Sequence, residues 1–162
     1  MMPYESPETY LSHRPPMLLV SEVLLIEEDA VRTCTKLGAE GPLARFAYAE
    51  GTVPNEFLLE IMAQSIGIWA GARKSAGVAA PEGETPAEVG FLLSVRQAKF
   101  LEAAVPATGT VITHMQKLLQ EGQLATFEGA VTLEGRELAR GRITVYQPLV
   151  REMPALFSRT NH

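Results

Sequence analysis

The stretch that most constrains the fold runs from Pro54 to Lys74, PNEFLLEIMAQSIGIWAGARK, where only Glu60, Gln64 and Ser65 are polar between Phe57 and Ala72. A helix with apolar residues on every side has to be buried. About 20 residues make a rod of roughly 30 Å, and the uncharged run after Glu60 is too short to cross a bilayer. The expected element is a central core helix, with no membrane span. Glu60 and Gln64 lie one helical turn apart and share a face that continues through Gly67 and Gly71, small enough to admit another chain or a slender ligand. An unpaired carboxylate in apolar surroundings is costly when ionised, so the protonated form is favoured and Glu60 is a candidate proton donor. The alternative is a structural Glu that caps a backbone group or pairs with an Arg.

The remaining chain reads mainly as sheet. Met17 to Ile26 and Ala30 to Leu37 flank Glu27-Glu28-Asp29 and predict a hairpin ahead of the helix. Behind it, the runs Val89 to Phe100, Gly109 to Leu119, Leu124 to Leu133 and Glu137 to Tyr146 predict strands, with turns at Glu121-Gly122 and Glu134-Gly135. Ser75 to Glu88, rich in Gly, Pro, Ala and Glu, is expected to be a mobile loop or lid. Residues 4–12 predict a short helix capped by Ser6 with Pro7 at its first position. The expected architecture is α+β, one domain over residues 1–150 in which an antiparallel sheet wraps one long helix. Residues 151–162 lack periodicity and are expected to form a frayed or lightly docked tail. An exposed sheet edge calls for pairing, so a dimer is expected.

Composition removes several function classes. A net charge of −5 without a basic stripe argues against nucleic-acid binding. The single cysteine, Cys34, and the scattered His13, His114 and His162 offer neither a disulfide nor metal-ligand spacing. The acid- and proline-containing start is unlike a signal peptide, so a cytoplasmic protein is expected.

Several segments resemble the hot-dog-fold 3-hydroxyacyl-[acyl-carrier-protein] dehydratases. His13-Arg14-Pro15-Pro16-Met17-Leu18-Leu19-Val20 resembles their HR-x-P-x-LLVD segment, with Ser21 in place of Asp. Glu60-Ile61-Met62-Ala63-Gln64 is similar to the E-A-M-A-Q motif that holds the catalytic acid, and Val95 to Phe100 with Pro106 and Gly109 is similar to I-D-x-A-R-F and its PGD turn. Phe46-Ala47-Tyr48-Ala49-Glu50-Gly51 together with Trp69-Ala70-Gly71 resembles more closely the dehydratase-like proteins of bacterial aryl-polyene pigment clusters. One departure stands out: Phe46 occupies the place of the histidine in the housekeeping GHFPG loop.

The resemblance implies dehydration of a 3-hydroxyacyl thioester, with Glu60 as acid and His13, the only histidine ahead of the helix, as provisional base. The plain alternative for His13 is packing or capping. His114 reads as a surface or core-edge residue, and His162 as free. Gln64, Ser94, Phe46 and Asn55 are the expected substrate-binding residues, Gln64 through its amide and Ser94 and Asn55 to Phe57 through backbone N–H groups facing the thioester oxygen. For Gln64 a helix-to-sheet hydrogen bond is the equal alternative. No cofactor is implied beyond the phosphopantetheine arm of an acyl carrier protein, whose acidic surface Arg73, Lys74, Arg96 and Lys99 are expected to meet. Three functions remain open: an active dehydratase in fatty-acid or aryl-polyene type synthesis, a non-catalytic or half-site subunit paired with a histidine-bearing homologue, and an acyl thioesterase. The partner is accordingly a second copy or a different hot-dog subunit.

Overall fold

The structure, a computed structural model, describes residues 4–75 and 91–158. The strands are β1 (Glu22–Ile26), β2 (Ala30–Lys36), β3 (Phe91–Phe100), β4 (Thr110–Glu121), β5 (Leu124–Leu133) and β6 (Arg136–Tyr146), with helices α1 (Glu56–Ser75) and α2 (Met153–Ser158). They form one antiparallel sheet in the order β1-β2-β4-β5-β6-β3. β4 pairs with β5 and β5 with β6 through short turns at positive φ, Gly122 in the first and Glu134 with Gly135 in the second.

Strand alternation decides which face meets the helix. Val111, Thr113 and Met115 of β4, Phe127 and Val131 of β5, and Ile143 of β6 are fully buried, while Ile112, His114 and Gln116 point to the other face. Against the buried face lies α1, contributing Leu58, Ile61, Met62, Ile66 and Ile68. Trp69 meets the Phe127 ring edge-on at 5.0 Å and donates its indole N–H to the Glu28 carbonyl at 2.9 Å. The α1 core therefore also fixes the β1–β2 turn.

Five expectations need correction or limits. The strand expected from Met17 begins only at Glu22, because Leu19 spends its N–H on the side chain of Gln64 instead of on a neighbouring strand. The helix expected near residues 4–12 is a single 3-10 turn, Pro7–Thr9, and the expected loose tail contains a 3-10 turn, Val150–Glu152, that runs into α2. Glu152 holds that turn, accepting from Tyr146 Oη at 2.6 Å and from the Leu149 N–H at 2.9 Å. The small face of α1 admits neither ligand nor partner: a Cβ on Gly71 would lie 2.1 Å from the Tyr10 carbonyl oxygen, and one on Gly67 would lie 2.7 Å from Leu11 Cδ2. The chain's own first segment fills that groove. The expected lid, apart from Ser75, lies outside the described residues.

Two outcomes test this packing. Trp69→Ala is expected to cost about 3–5 kcal/mol in urea unfolding, as for other large buried aromatics. Gly71→Ala gains up to about 1 kcal/mol of helix propensity but pushes on the Tyr10 backbone. The expected result is a net loss of stability, with faster amide exchange in residues 7–12.

Candidate active site

The first turn of α1 is anchored by Asn55. Its Nδ2 donates to the carbonyls of Glu102 at 2.8 Å and Ala103 at 2.9 Å, beside the isolated bridge between Val53 and Val105. One turn further along, Glu60 faces His13, whose Nε2 lies 3.8 Å from Glu60 Oε1. That is ion-pair distance, longer than a hydrogen bond. His13 is brought there by a tight loop in which Met17 and Leu18 both donate to the Arg14 carbonyl, while Arg14 reaches back to the carbonyls of Leu11 and His13. The Nδ1 of His13 is buried without a hydrogen-bond partner among the described residues.

Gln64 ties these parts together and is itself only 1% exposed. Its Oε1 accepts the Leu19 N–H at 2.9 Å, and its Nε2 donates to the Met17 carbonyl at 2.7 Å and to Glu60 Oε1 at 3.2 Å. An amide has two N–H donors, and both are committed. Gln64 is thus a positioning residue, and its bonds run to Met17 and Leu19, ahead of the first strand, where the alternative to a substrate ligand was a helix-to-sheet hydrogen bond. Glu60 departs from expectation too. Its side chain is 43% exposed and that of His13 38%, so the desolvation expected of a fully buried carboxyl is absent from the single chain.

The other expected site residues divide. Phe46, in the 3-10 turn Ala44–Phe46, stacks on Phe57 with ring centroids 4.6 Å apart, so it packs on the first turn of α1. The Asn55 side chain is a staple whose two N–H donors go to backbone, leaving Oδ1 buried without a partner among the described residues. Ser94, expected to act through its backbone N–H, pairs in register with Thr144, which bonds Thr126 at 2.9 Å on the face away from α1, so its side chain lies on that face too. The expected cations do not converge on one rim. Arg73 lies 4.9 Å over the Trp69 ring, which Lys117 also approaches at 5.1 Å, about 20 Å along α1 from Glu60. Arg96 and Lys99 are exposed on β3, and the Lys74 side chain lies outside the described residues.

His114, opposite Arg32 in the sheet, stays outside this site. Burial and the Arg32 charge hold its imidazole below the usual histidine range, with Glu27 opposing. Among the described residues no group of three or more His, Cys, Asp or Glu is arranged to hold a metal ion, and no helix is long and apolar enough to cross a membrane. The clamp on residues 17–19 was not foreseen from sequence; its signal is a Gln one turn after a Glu within an otherwise apolar helix.

An antiparallel sheet curled around one helix whose second turn carries an acid beside a histidine is the hot-dog fold in its thioester-dehydratase form. Comparison with known proteins agrees. The profile of the ApeP-like family, described as ApeP dehydratase, matches residues 5–157, and the chain belongs to that family. It is similar to a 3-hydroxyacyl-[acyl-carrier-protein] dehydratase, FabZ, of Streptococcus agalactiae, at 26% identity over 135 residues, covering 83% of this chain and 89% of that one. Among solved structures it is similar to the dehydratase heterocomplex ApeI:P from Xenorhabdus doucetiae, with TM-score 0.83 and 30% identity over 95% of this chain and 98% of that one. A hypothetical thioesterase with coenzyme A from Streptococcus pneumoniae shares the fold alone, at TM-score 0.58 and 13% identity over 78% and 84% of the two chains.

The Gln64 clamp has a measurable consequence. Gln64→Leu keeps the volume but strands the Leu19 N–H and the Met17 carbonyl, at about 1–3 kcal/mol for each orphaned group. Urea unfolding is expected to show that loss, together with increased protease cutting near residues 13–18.

Proposed function

We propose that this chain acts in the dehydration of a 3-hydroxyacyl thioester carried by an acyl carrier protein, as one subunit of a two-chain hot-dog dehydratase. The observation that carries the reading is the pairing of His13 Nε2 with Glu60 Oε1 at 3.8 Å, under a Gln64 amide that fixes the carboxylate. Dehydration removes a proton from C2 and water from C3. A protonated Glu60 gives its proton to the departing C3 hydroxyl, a histidine takes the C2 proton, and the electron pair left at C2 closes the double bond. The carboxylate left after water departs is recharged by the histidinium within its reach, which returns both groups to their starting states.

Support for a second subunit comes from the site's openness. With both side chains more than a third exposed, water competes at every step, and a covering chain creates the dry setting in which a carboxyl keeps its proton. The heterocomplex among the similar structures is consistent with such a partner. So is Phe46, stacked on Phe57 where the resemblance places a histidine, because a subunit without that base draws it from His13 or from its neighbour. The substrate reaches the site on a phosphopantetheine arm, and no other cofactor is part of the reading. Arg73 beside Lys117 offers positive charge to an acidic carrier about one arm's length from Glu60.

Glu60→Gln is expected to abolish enoyl formation while leaving the melting temperature about equal, since an isosteric amide keeps the hydrogen bond to Gln64 and a carboxylate 43% exposed carries little desolvation cost to relieve. The measurement is conversion of a 3-hydroxyacyl carrier protein by the chain alone and with a histidine-bearing hot-dog subunit. His13→Ala that spares turnover only in the presence of the second subunit assigns the base to that subunit. Release of free acid in place of enoyl product would show a thioesterase, and unchanged turnover in both variants would remove Glu60 and His13 from the chemistry.

A further inference from the structure

Strand β3 is one of the two edge strands of the sheet, opposite β1, and among the described residues its free edge pairs with nothing. Its ends are apolar and open, with Leu92 and Leu93 at 49% and 54% exposure and Phe100 and Leu101 at 38% and 41%. Charge stands between them. The register sets Arg96 directly opposite Arg142 and Lys99 directly opposite Arg140, so two like-charged pairs adjoin on the face away from α1. Facing cations destabilise a sheet unless an anion answers them. The inner two are answered, Arg142 by Glu128 at 3.2 Å and Arg140 by Glu137. The outer two, Arg96 and Lys99, have no ion-pair partner among the described residues. A chain of net charge −5 thus keeps surplus positive charge along an unpaired, partly apolar edge.

A second copy is poorly suited to that edge. When two identical edges pair antiparallel, the two-fold axis is perpendicular to the sheet and both open faces fall on the same side. A bulge at Gln97 shortens the strand between them, so Arg96 and Lys99 are separated by about 7 Å along it, the two-residue span of their partners Arg142 and Arg140. For an axis anywhere between residues 95 and 100, a cation of one copy comes within two residue positions of a cation of the other. Across strands about 4.8 Å apart this is a separation of about 8 Å, comparable to the screening length at physiological salt.

We propose that the β3 edge is a selective subunit interface, disfavouring a second copy of this chain and receiving a hot-dog subunit whose edge strand presents acidic side chains beside Arg96 and Lys99. The inference rests on the reading above that a second hot-dog subunit covers the site, and it adds the chemistry by which that subunit is chosen. An acidic carrier protein is the other class of partner the cations attract. The edge favours the subunit, because a carrier held by charge leaves the free backbone groups of β3 and the apolar ends in water.

The probe is this chain in charge-reversed form, Arg96→Glu/Lys99→Glu, with the neutral Arg96→Gln/Lys99→Gln as intermediate and circular dichroism checking that each is folded. Fluorescence-detected sedimentation of labelled wild type measures pairing with itself and with each variant. At about 0.05 M salt the reversed chain is expected to bind wild type at least about tenfold more tightly than wild type binds itself, with the neutral variant between. At about 0.5 M salt the difference collapses as screening removes the charge term. Equal affinities at low salt, a preference that survives high salt, or no pairing of any combination at about 100 µM each overturns the proposal. So does a holo acyl carrier protein that binds wild type and not the reversed chain while the pairings stay equal, which assigns the cations to the carrier instead. The experiment does not read dehydration, so its failure leaves the role of Glu60 standing, and failure of the Glu60 assay leaves the edge standing.

Discussion

The side chain on which the site depends is the buried amide of Gln64. It joins three parts of the chain that no regular secondary structure connects: the loop after His13, the segment that leads into β1 and the acid on α1. A buried amide has to find partners or lose its hydration without compensation, and each partner here is one that only this arrangement supplies. Leu19 leaves the sheet ladder to give its N–H to Gln64 while its carbonyl accepts from Thr35. The same clamp that closes the fold over α1 therefore sets where His13 and Glu60 meet.

Around that clamp the molecule is unevenly finished. The inner face of the sheet is filled by α1, and even the small-residue groove at Gly67 and Gly71 is sealed by Tyr10 and Leu11. By contrast, the carboxylate, the imidazole and both ends of the edge strand β3 stay open to water. A Glu60–His13 pair exposed in one chain and a sheet edge flanked by exposed leucines and a phenylalanine are two signs of the same incompleteness. In the proposed reading a second hot-dog subunit relieves both. The positive charge at the β3 edge bears on which subunit that is.

The amino-acid sequence determined the α+β architecture, because burial leaves a periodic trace: an apolar run on α1, strict alternation on β5, and glycines at the turns. It also marked Glu60 and His13 as candidates, through segments similar to a known family. What it could not determine was what lies against each face. Gly67 and Gly71 announce a close approach but not the Tyr10 backbone that makes it. An apolar run around Glu60 announces burial, yet the carboxylate is 43% exposed and faces His13. Like charges at Arg96 and Arg142 are 46 residues apart in the chain and become neighbours only through the β3–β6 register. Patterning is local and survives in one dimension; contact, exposure and charge adjacency are pairwise properties of distant residues, so the tertiary structure alone decided them.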